Sequence, residues 1–262
     1  TYYKLKEAIT VGSGYTSVDD NIASTGMANS IDHVVPLYGR LNAKYILQSC
    51  NSIGCTDSPE VFTSTKVAEM ASSIGKFDGS SGYRVGNYFG ASVSLSHDGY
   101  TMAVGAQSNN SSETGINGNQ NTSGANTSGA VYIYTRSGTS WSQQAFIKAS
   151  NTGFGDFFGR SVSLSDDGNT LAVGAPQEDS NATGINGDQT DNSVSFAGAV
   201  YAFTRSGSTW SQQAYIKASN TARADHFGNA VSLSGDGNTL AVGAFYEDSN
   251  VTGINGIQSD IS

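Results

Sequence analysis

"GAVYIYTRSGTSWSQQAFIKASNT" at Gly129–Thr152 returns almost unchanged as "GAVYAFTRSGSTWSQQAYIKASNT" at Gly198–Thr221. The copies stand 69 residues apart, and the same offset relates Phe89-Gly90 to Phe158-Gly159 and to Phe227-Gly228. It carries Gly105-Ala106 to Gly174-Ala175 and Gly243-Ala244, and "TGINGNQ" at Thr114 to "TGINGDQ" at Thr183 and "TGINGIQ" at Thr252. A fixed period of this kind signals one supersecondary unit used repeatedly, so the unit is read before any single motif.

Inside one unit four strand-like runs can be read: Arg160–Ser165, Thr170–Ala175, Gly198–Arg205 and Thr209–Ala218. Each is alternating or rich in β-branched and aromatic residues, and each is bounded by turn residues. "DDGN" joins the first pair and "SGS" the last pair, both suited to tight hairpins. A long loop rich in Asp, Asn and Gly, 176–197, separates the second run from the third. The fold class expected is therefore all-β, with four-stranded antiparallel β-propeller blades, one per 69-residue repeat. Stacked solenoid repeats are usually shorter and do not need four strands. The recurring Phe89, Phe158 and Phe227 are expected to wedge between neighbouring blades, Gly90, Gly159 and Gly228 to let backbones approach, and Trp141 and Trp210 to cover outer strands.

Composition agrees with short strands and many turns: 32 Gly, 13 Tyr and 11 Phe against 3 Pro and 13% charged residues. With 22 acidic and 13 basic side chains the formal charge is −9. That balance argues against nucleic acid as a partner, since phosphate binding needs clustered Lys and Arg. No stretch is long and apolar enough to span a membrane. Cys50 and Cys55 in "CNSIGC" suit a small disulfide-closed loop, which would place the chain in an oxidising, extracytoplasmic setting. The alternative is a pair of reduced structural thiols. A zinc site is disfavoured because no nearby Cys or His completes four ligands.

The run "FGRSVSLSDDGNTLAVGAP…GAVYAFTR" resembles the FG-GAP repeat of integrin-α-type β-propellers, in the variant common in bacterial surface and secreted proteins. The resemblance covers roughly Ile74–Ser262 and implies a seven-bladed propeller used for adhesion or ligand binding, often with calcium in blade loops. Two departures stand out. The turns between the first two strands read "SHDGYT", "SDDGNT" and "SGDGNT", too few carboxylates for a cation that wants six to eight oxygens. A ring of seven such units takes about 480 residues, whereas Ile74–Ser262 holds fewer than three.

The front of the chain differs. "AKYILQSCNSIGC" resembles the F–G hairpin of a fibronectin type III domain, with Tyr45 in the place of that family's strand F tyrosine. The domains expected are 1–65, the C-terminal part of a fibronectin type III-like β-sandwich, and 66–262, propeller blades forming an incomplete ring. Lys66–Ile74 reads as a helical turn or a linker. Both ends fall inside a domain, so the chain is expected to be an internal segment of a longer protein.

Catalytic constellations are weak. The "SDDGNT" turn resembles the Asp-box of sialidase-type propellers, itself a structural turn, and Arg136 and Arg205 recur at one blade position that suits a solvated rim. His33, His97 and His226 occupy unrelated positions, so no triad is expected, and no phosphate or dinucleotide fingerprint occurs. The chain is expected not to be an enzyme. The best site candidate is the long loop after each Gly-Ala. The second repeat offers Glu178, Asp179, Asn186, Asp188 and Asp191, the third Glu247, Asp248 and Asn255, and the first Glu113, Asn117 and Asn119. The oxygens of the second and third repeats suit calcium; the competing reading is a polar loop held by Asx turns.

Two functional classes follow: an extracellular adhesion or ligand-binding module contacting a protein or glycan through its blade loops, and a structural subunit self-associating through open blade edges. An accessory domain of a secreted hydrolase is a minor third. Either main class places the chain outside the cell or on its surface.

Overall fold

The computed structural model describes residues 2–8, 15–23, 44–50, 52–58, 61–62, 87–138 and 140–249. The chain forms two compact units, Thr1–Gly75 and Lys76–Ser262. Lys66–Ile74, His33 and Asn255 lie outside the described residues. No helix occurs among the described ones.

In the first unit β1 (Tyr2–Ala8) is flanked by β2 (Thr16–Ala23) and β3 (Lys44–Cys50), all antiparallel. β4 (Cys55–Asp57) and β5 (Val61–Phe62) pair with different ends of β3. Cys50 and Cys55 stand opposite one another in the β3–β4 hairpin and form a disulfide, with Cα atoms 4.0 Å apart. Cys50 is buried, whereas Cys55 on β4 is exposed, so the bond ties the surface hairpin to a covered position on β3.

In the second unit the repeat becomes a sheet. β6 (Phe89–Leu95), β7 (Thr101–Ala106), β8 (Ala130–Ser137) and β9 (Ser140–Ile147) form one four-stranded antiparallel sheet in chain order. β10 (Ser161–Leu164), β11 (Thr170–Ala175), β12 (Ala199–Ser206) and β13 (Thr209–Ile216) form the next. β14 (Phe227–Leu233) and β15 (Leu240–Ala244) pair in the third. These are β-propeller blades. The burial of each strand follows its place: β11 is covered along nearly its whole length, whereas β13 alternates buried Trp210 and Tyr215 with exposed polar residues, as an outer strand should.

Consecutive blades are joined by a ladder of serines. Ser92 Oγ donates to the Gly159 carbonyl and Ser161 Oγ to that of Gly228, each at 2.8 Å. The Leu164 amide donates to Ser94 Oγ and the Leu233 amide to Ser163 Oγ, each at 2.9 Å. At the turn tips the His97 amide reaches the Asp166 carbonyl, and the Asp166 amide reaches that of Gly235. The alternating serines of "SVSLS" therefore replace, along the inner strands, the direct backbone ladder that separate sheets cannot make.

Phe158 is fully buried, and its ring packs edge-on against Tyr201 (5.2 Å) and Phe203 (6.2 Å) of its own blade. Its backbone does the joining: the Phe158 amide donates to the Ser128 carbonyl of the preceding repeat, as Phe227 does to Ala197. Phe89 repeats the ring contacts on Tyr132 and Tyr134. The tight turns close on themselves. Asp167 Oδ1 accepts from Ser165 Oγ (2.6 Å) and the Asn169 amide (2.9 Å), while Ser165 Oγ accepts the Thr170 amide. Asp98 and Asp236 do the same in their repeats.

Arg205 departs from the solvated-rim expectation. Its guanidinium lies over Trp210 (5.4 Å), and its Nη1 and the Trp210 Nε1 both donate to Gln144 Oε1 on β9 of the preceding blade. A cation held against an indole face binds more strongly when partly desolvated, which a repeat-to-repeat seam provides and an open rim does not.

Candidate functional site

In a four-stranded antiparallel sheet, the start of the first strand, the end of the second, the start of the third and the end of the fourth share one end. The long loops 107–129 and 176–198 and the lysines that follow β9 and β13 are thus brought together at the end opposite the Ser-Asp turns. Each loop is strapped to its own blade. Ile116 bridges to Ile147 and Ile185 to Ile216. Asn117 and Asn186 adopt left-handed φ of 59° and 57°, which Asn tolerates better than most residues. The Asn186 side-chain oxygen accepts the Tyr215 amide at 2.9 Å, and Asn117 likewise holds Phe146. This explains the repeated "TGIN": it clips the loop onto the outer strand.

The other candidate oxygens are distributed along the same loops. Asp179 Oδ1 accepts the Phe196 amide (2.7 Å), Asp188 Oδ1 the Thr190 amide and hydroxyl, and Asp191 Oδ1 the Ser193 amide. Asn119 Oδ1 accepts the Asn121 amide, and Glu113 lies half-buried beside Gly118. In the third repeat Glu247 accepts from Asn220 and Ser249, with Asp248 exposed beside it. Among the described residues no three His, Cys, Asp or Glu side chains are grouped to hold a metal. Carboxylates engaged one at a time by their own loop backbone do not fit a cation that needs six to eight converging oxygens.

Glu178 is different because it is 1% exposed. Its Oε2 forms an ion pair with Lys217 Nζ at 2.7 Å and accepts the Ser180 amide. Its Oε1 accepts from Tyr215 Oη (2.8 Å) and from Asn151 Nδ2 (2.8 Å) of the preceding repeat. Asn151 Oδ1 in turn accepts the Tyr201 hydroxyl at 2.5 Å. Burial pulls the Lys217 pKa down against the pull of Glu178, and burial with nearby carboxylate charge pushes Tyr201 and Tyr215 up, so both phenols stay protonated.

The first repeat carries a variant of this cluster. Asn109 stands where Glu178 stands, and Phe146 where Tyr215 stands. Lys148 there donates to Ser128 Oγ (2.7 Å) and to the Gly129 carbonyl. With no carboxylate bonded to it, burial lowers its pKa to about 7. Asp156 close by, buried and near Glu178 and Asp179, is raised to about 7, although the Gly153 amide donates to it at 2.6 Å.

Residues 141–203 and 210–257 match the FG-GAP repeat. The first matched FG-GAP stretch starts on β9 and ends on β12, so it begins on the outermost strand of one blade and runs into the third strand of the next. The second starts on β13 and continues past β15. FG-GAP repeats suggest a β-propeller-like module for ligand binding or adhesion and are generally non-catalytic. Together with a disulfide they are typical of extracellular proteins. No helix among the described residues is long and apolar enough to cross a membrane. No curated protein matches the chain.

Sequence reasoning about the loops missed Lys217, Asn151 and Tyr215, the partners that make Glu178 a seam residue, and with them Tyr201 and Lys148. A signal was present: "FIKA" and "YIKA" each place a lysine directly after an apolar run, at the same repeat position, where a surface lysine is not expected.

Proposed function

We propose that the chain is a non-catalytic ligand-binding or adhesion module of an extracellular or surface-attached bacterial protein. The reading rests on an exposed aromatic file at the loop end of the blades. Phe196 stacks on His226 (5.9 Å), His226 meets Tyr246 (5.3 Å), and Tyr246 meets Phe245 (4.5 Å). Phe196, Tyr246 and Phe245 are 42%, 62% and 67% exposed. Phe196 and His226 both sit at positive φ, a backbone feature of the repeat that recurs at Thr127 and Phe157, so the two rings are carried on loop positions of fixed conformation. Aromatic faces backed by rigid loops suit stacking against sugar rings or insertion into a protein surface. The test is a glycan and protein array screened with the intact chain and with Phe196→Ala/Tyr246→Ala. Hits abolished by the double substitution support the reading; hits that persist unchanged remove the aromatic file from it.

A structural role is favoured by a separate observation. Leu164 is 7% exposed under the preceding blade, whereas its counterpart Leu95 is 54% exposed and Val93 57%. That face has the shape of a blade seam and suits a second copy or another blade. Sedimentation at rising concentration, with Leu95→Lys as control, tests it: a mass that rises for the unmodified chain alone supports self-association.

A further inference from the structure

We propose that Lys217 and Asn151 become joined by an intramolecular isopeptide bond, formed by the chain itself at Glu178. One buried carboxylate holds the two reacting groups on its two oxygens, the Lys217 amine at 2.7 Å and the Asn151 carboxamide nitrogen at 2.8 Å. A phenol, Tyr201 Oη, sits on the carboxamide oxygen at 2.5 Å. Tyr215 Oη donates to the same carboxylate oxygen as Asn151, at 2.8 Å. Glu178, Lys217, Tyr201 and Tyr215 are all shielded from water, which would otherwise compete with the amine.

The groups divide the work as aminolysis of an amide requires. Glu178 takes a proton from the Lys217 ammonium, a transfer that a dry site favours because it removes two buried charges. The neutral amine attacks Asn151 Cγ, and charge developing on Oδ1 is met by the Tyr201 hydroxyl already placed there. Glu178 returns its proton to Nδ2, the Cγ–Nδ2 bond breaks, and ammonia leaves, carrying the last proton away as ammonium. One C–N bond forms and one breaks, no electron is transferred, and Glu178 ends as it began. Holding both partners on one carboxylate makes the step intramolecular, where correct orientation supplies most of the acceleration.

The repeats contain their own control. Lys148 occupies the same position as Lys217 but faces Ser128 Oγ and a backbone carbonyl, with Asn109 in place of the carboxylate. It has no acid–base partner of this kind and stays unlinked. Half of the arrangement recurs one repeat further on, where Asn220 Nδ2 donates to Glu247 Oε1 at 2.9 Å. The bond would tie the end of one blade covalently to the next.

Intact mass spectrometry of the purified chain tests the proposal. The expected mass is lower than that of the disulfide-bonded chain by one ammonia, and a tryptic digest yields a branched peptide carrying Asn151 and Lys217, with no cleavage after Lys217. Lys217→Arg and Glu178→Gln should each restore the full mass, while Lys148→Arg should still lose ammonia. Full mass in the unsubstituted chain, with cleavage after Lys217, overturns the proposal whether or not any variant folds. A branched peptide at Lys148 instead would overturn the assignment of Glu178.

Discussion

The Phe158 carbonyl oxygen of one repeat occupies the space that a Cβ on Gly129 of the preceding repeat would need, and Gly129 holds φ at +84°. Gly198 and Phe227 repeat the relation one unit later. Gly129→Ala combines overlap with backbone atoms and a conformation that side chains avoid, so it should destabilise the second unit by at least about 3 kcal/mol. Gly138→Ala, also at positive φ but with open space around it, should cost only about 1 kcal/mol. Urea unfolding of the two variants checks the contrast, and equal losses would show that strain alone, not the close approach, governs the seam.

Phe158→Ala removes a fully buried ring from between Tyr201 and Phe203 and should cost about 3–5 kcal/mol. Phe89→Ala, at a half-buried ring, should cost clearly less. Thermal denaturation followed by near-ultraviolet circular dichroism reports both, since the tyrosines they touch lie in asymmetric surroundings.

Lys148 and Asp156 give the second unit opposite pH limbs. Asp156 is raised from 3.8 to about 7, so between those values the folded state holds a proton the unfolded state has lost, and its contribution to stability falls as pH rises toward 7. Lys148 is lowered from 10.5 to about 7, so above 7 the unfolded state holds the extra proton, and its contribution rises with pH toward 10.5. Asp156→Asn should flatten the acid limb, and Lys148→Met the alkaline one. Chemical denaturation at several pH values from 4 to 10 measures each difference, and parallel curves for the original and Asp156→Asn would contradict the assignment.

Adding calcium or a chelator should leave the thermal midpoint unchanged, because Asp179, Asp188 and Asp191 are engaged singly by loop amides. Binding heat in calorimetry that disappears in Asp179→Ala/Asp188→Ala would instead show that these carboxylates can regroup around a cation.

The blades were largely legible because turn chemistry and alternation coincide in every repeat. The "DDGN" and "SGS" turns marked both hairpins, and the strand read at Thr170–Ala175 is β11 to the residue. The strand read at Thr209–Ala218 stops instead at Ile216, because Lys217 turns back to the long loop through its own amide and Gly184. The serine ladder was hidden: Ser92 and Ser161 look like the polar half of ordinary alternation, and only the neighbouring blade shows what they bind. Glu178 looked like one acid among several in a polar loop. Its partners lie 39 residues later at Lys217 and 27 residues earlier at Asn151, separations that no local pattern reports. Those loop residues that pair locally, such as Asp188 with Thr190, were readable as Asx turns from the outset.

The hydroxyl contacts between inner strands span the same sequence separation at both seams, 67 residues for Ser92 and for Ser161 and 70 for the paired amides. A seam with that translational regularity does not distinguish one neighbour from the next. Along this serine ladder a whole unit inserted or excised in register would meet the same donors and acceptors on either side. Copy number is therefore a quantity that duplication or loss within the gene can change without a new interface having to evolve.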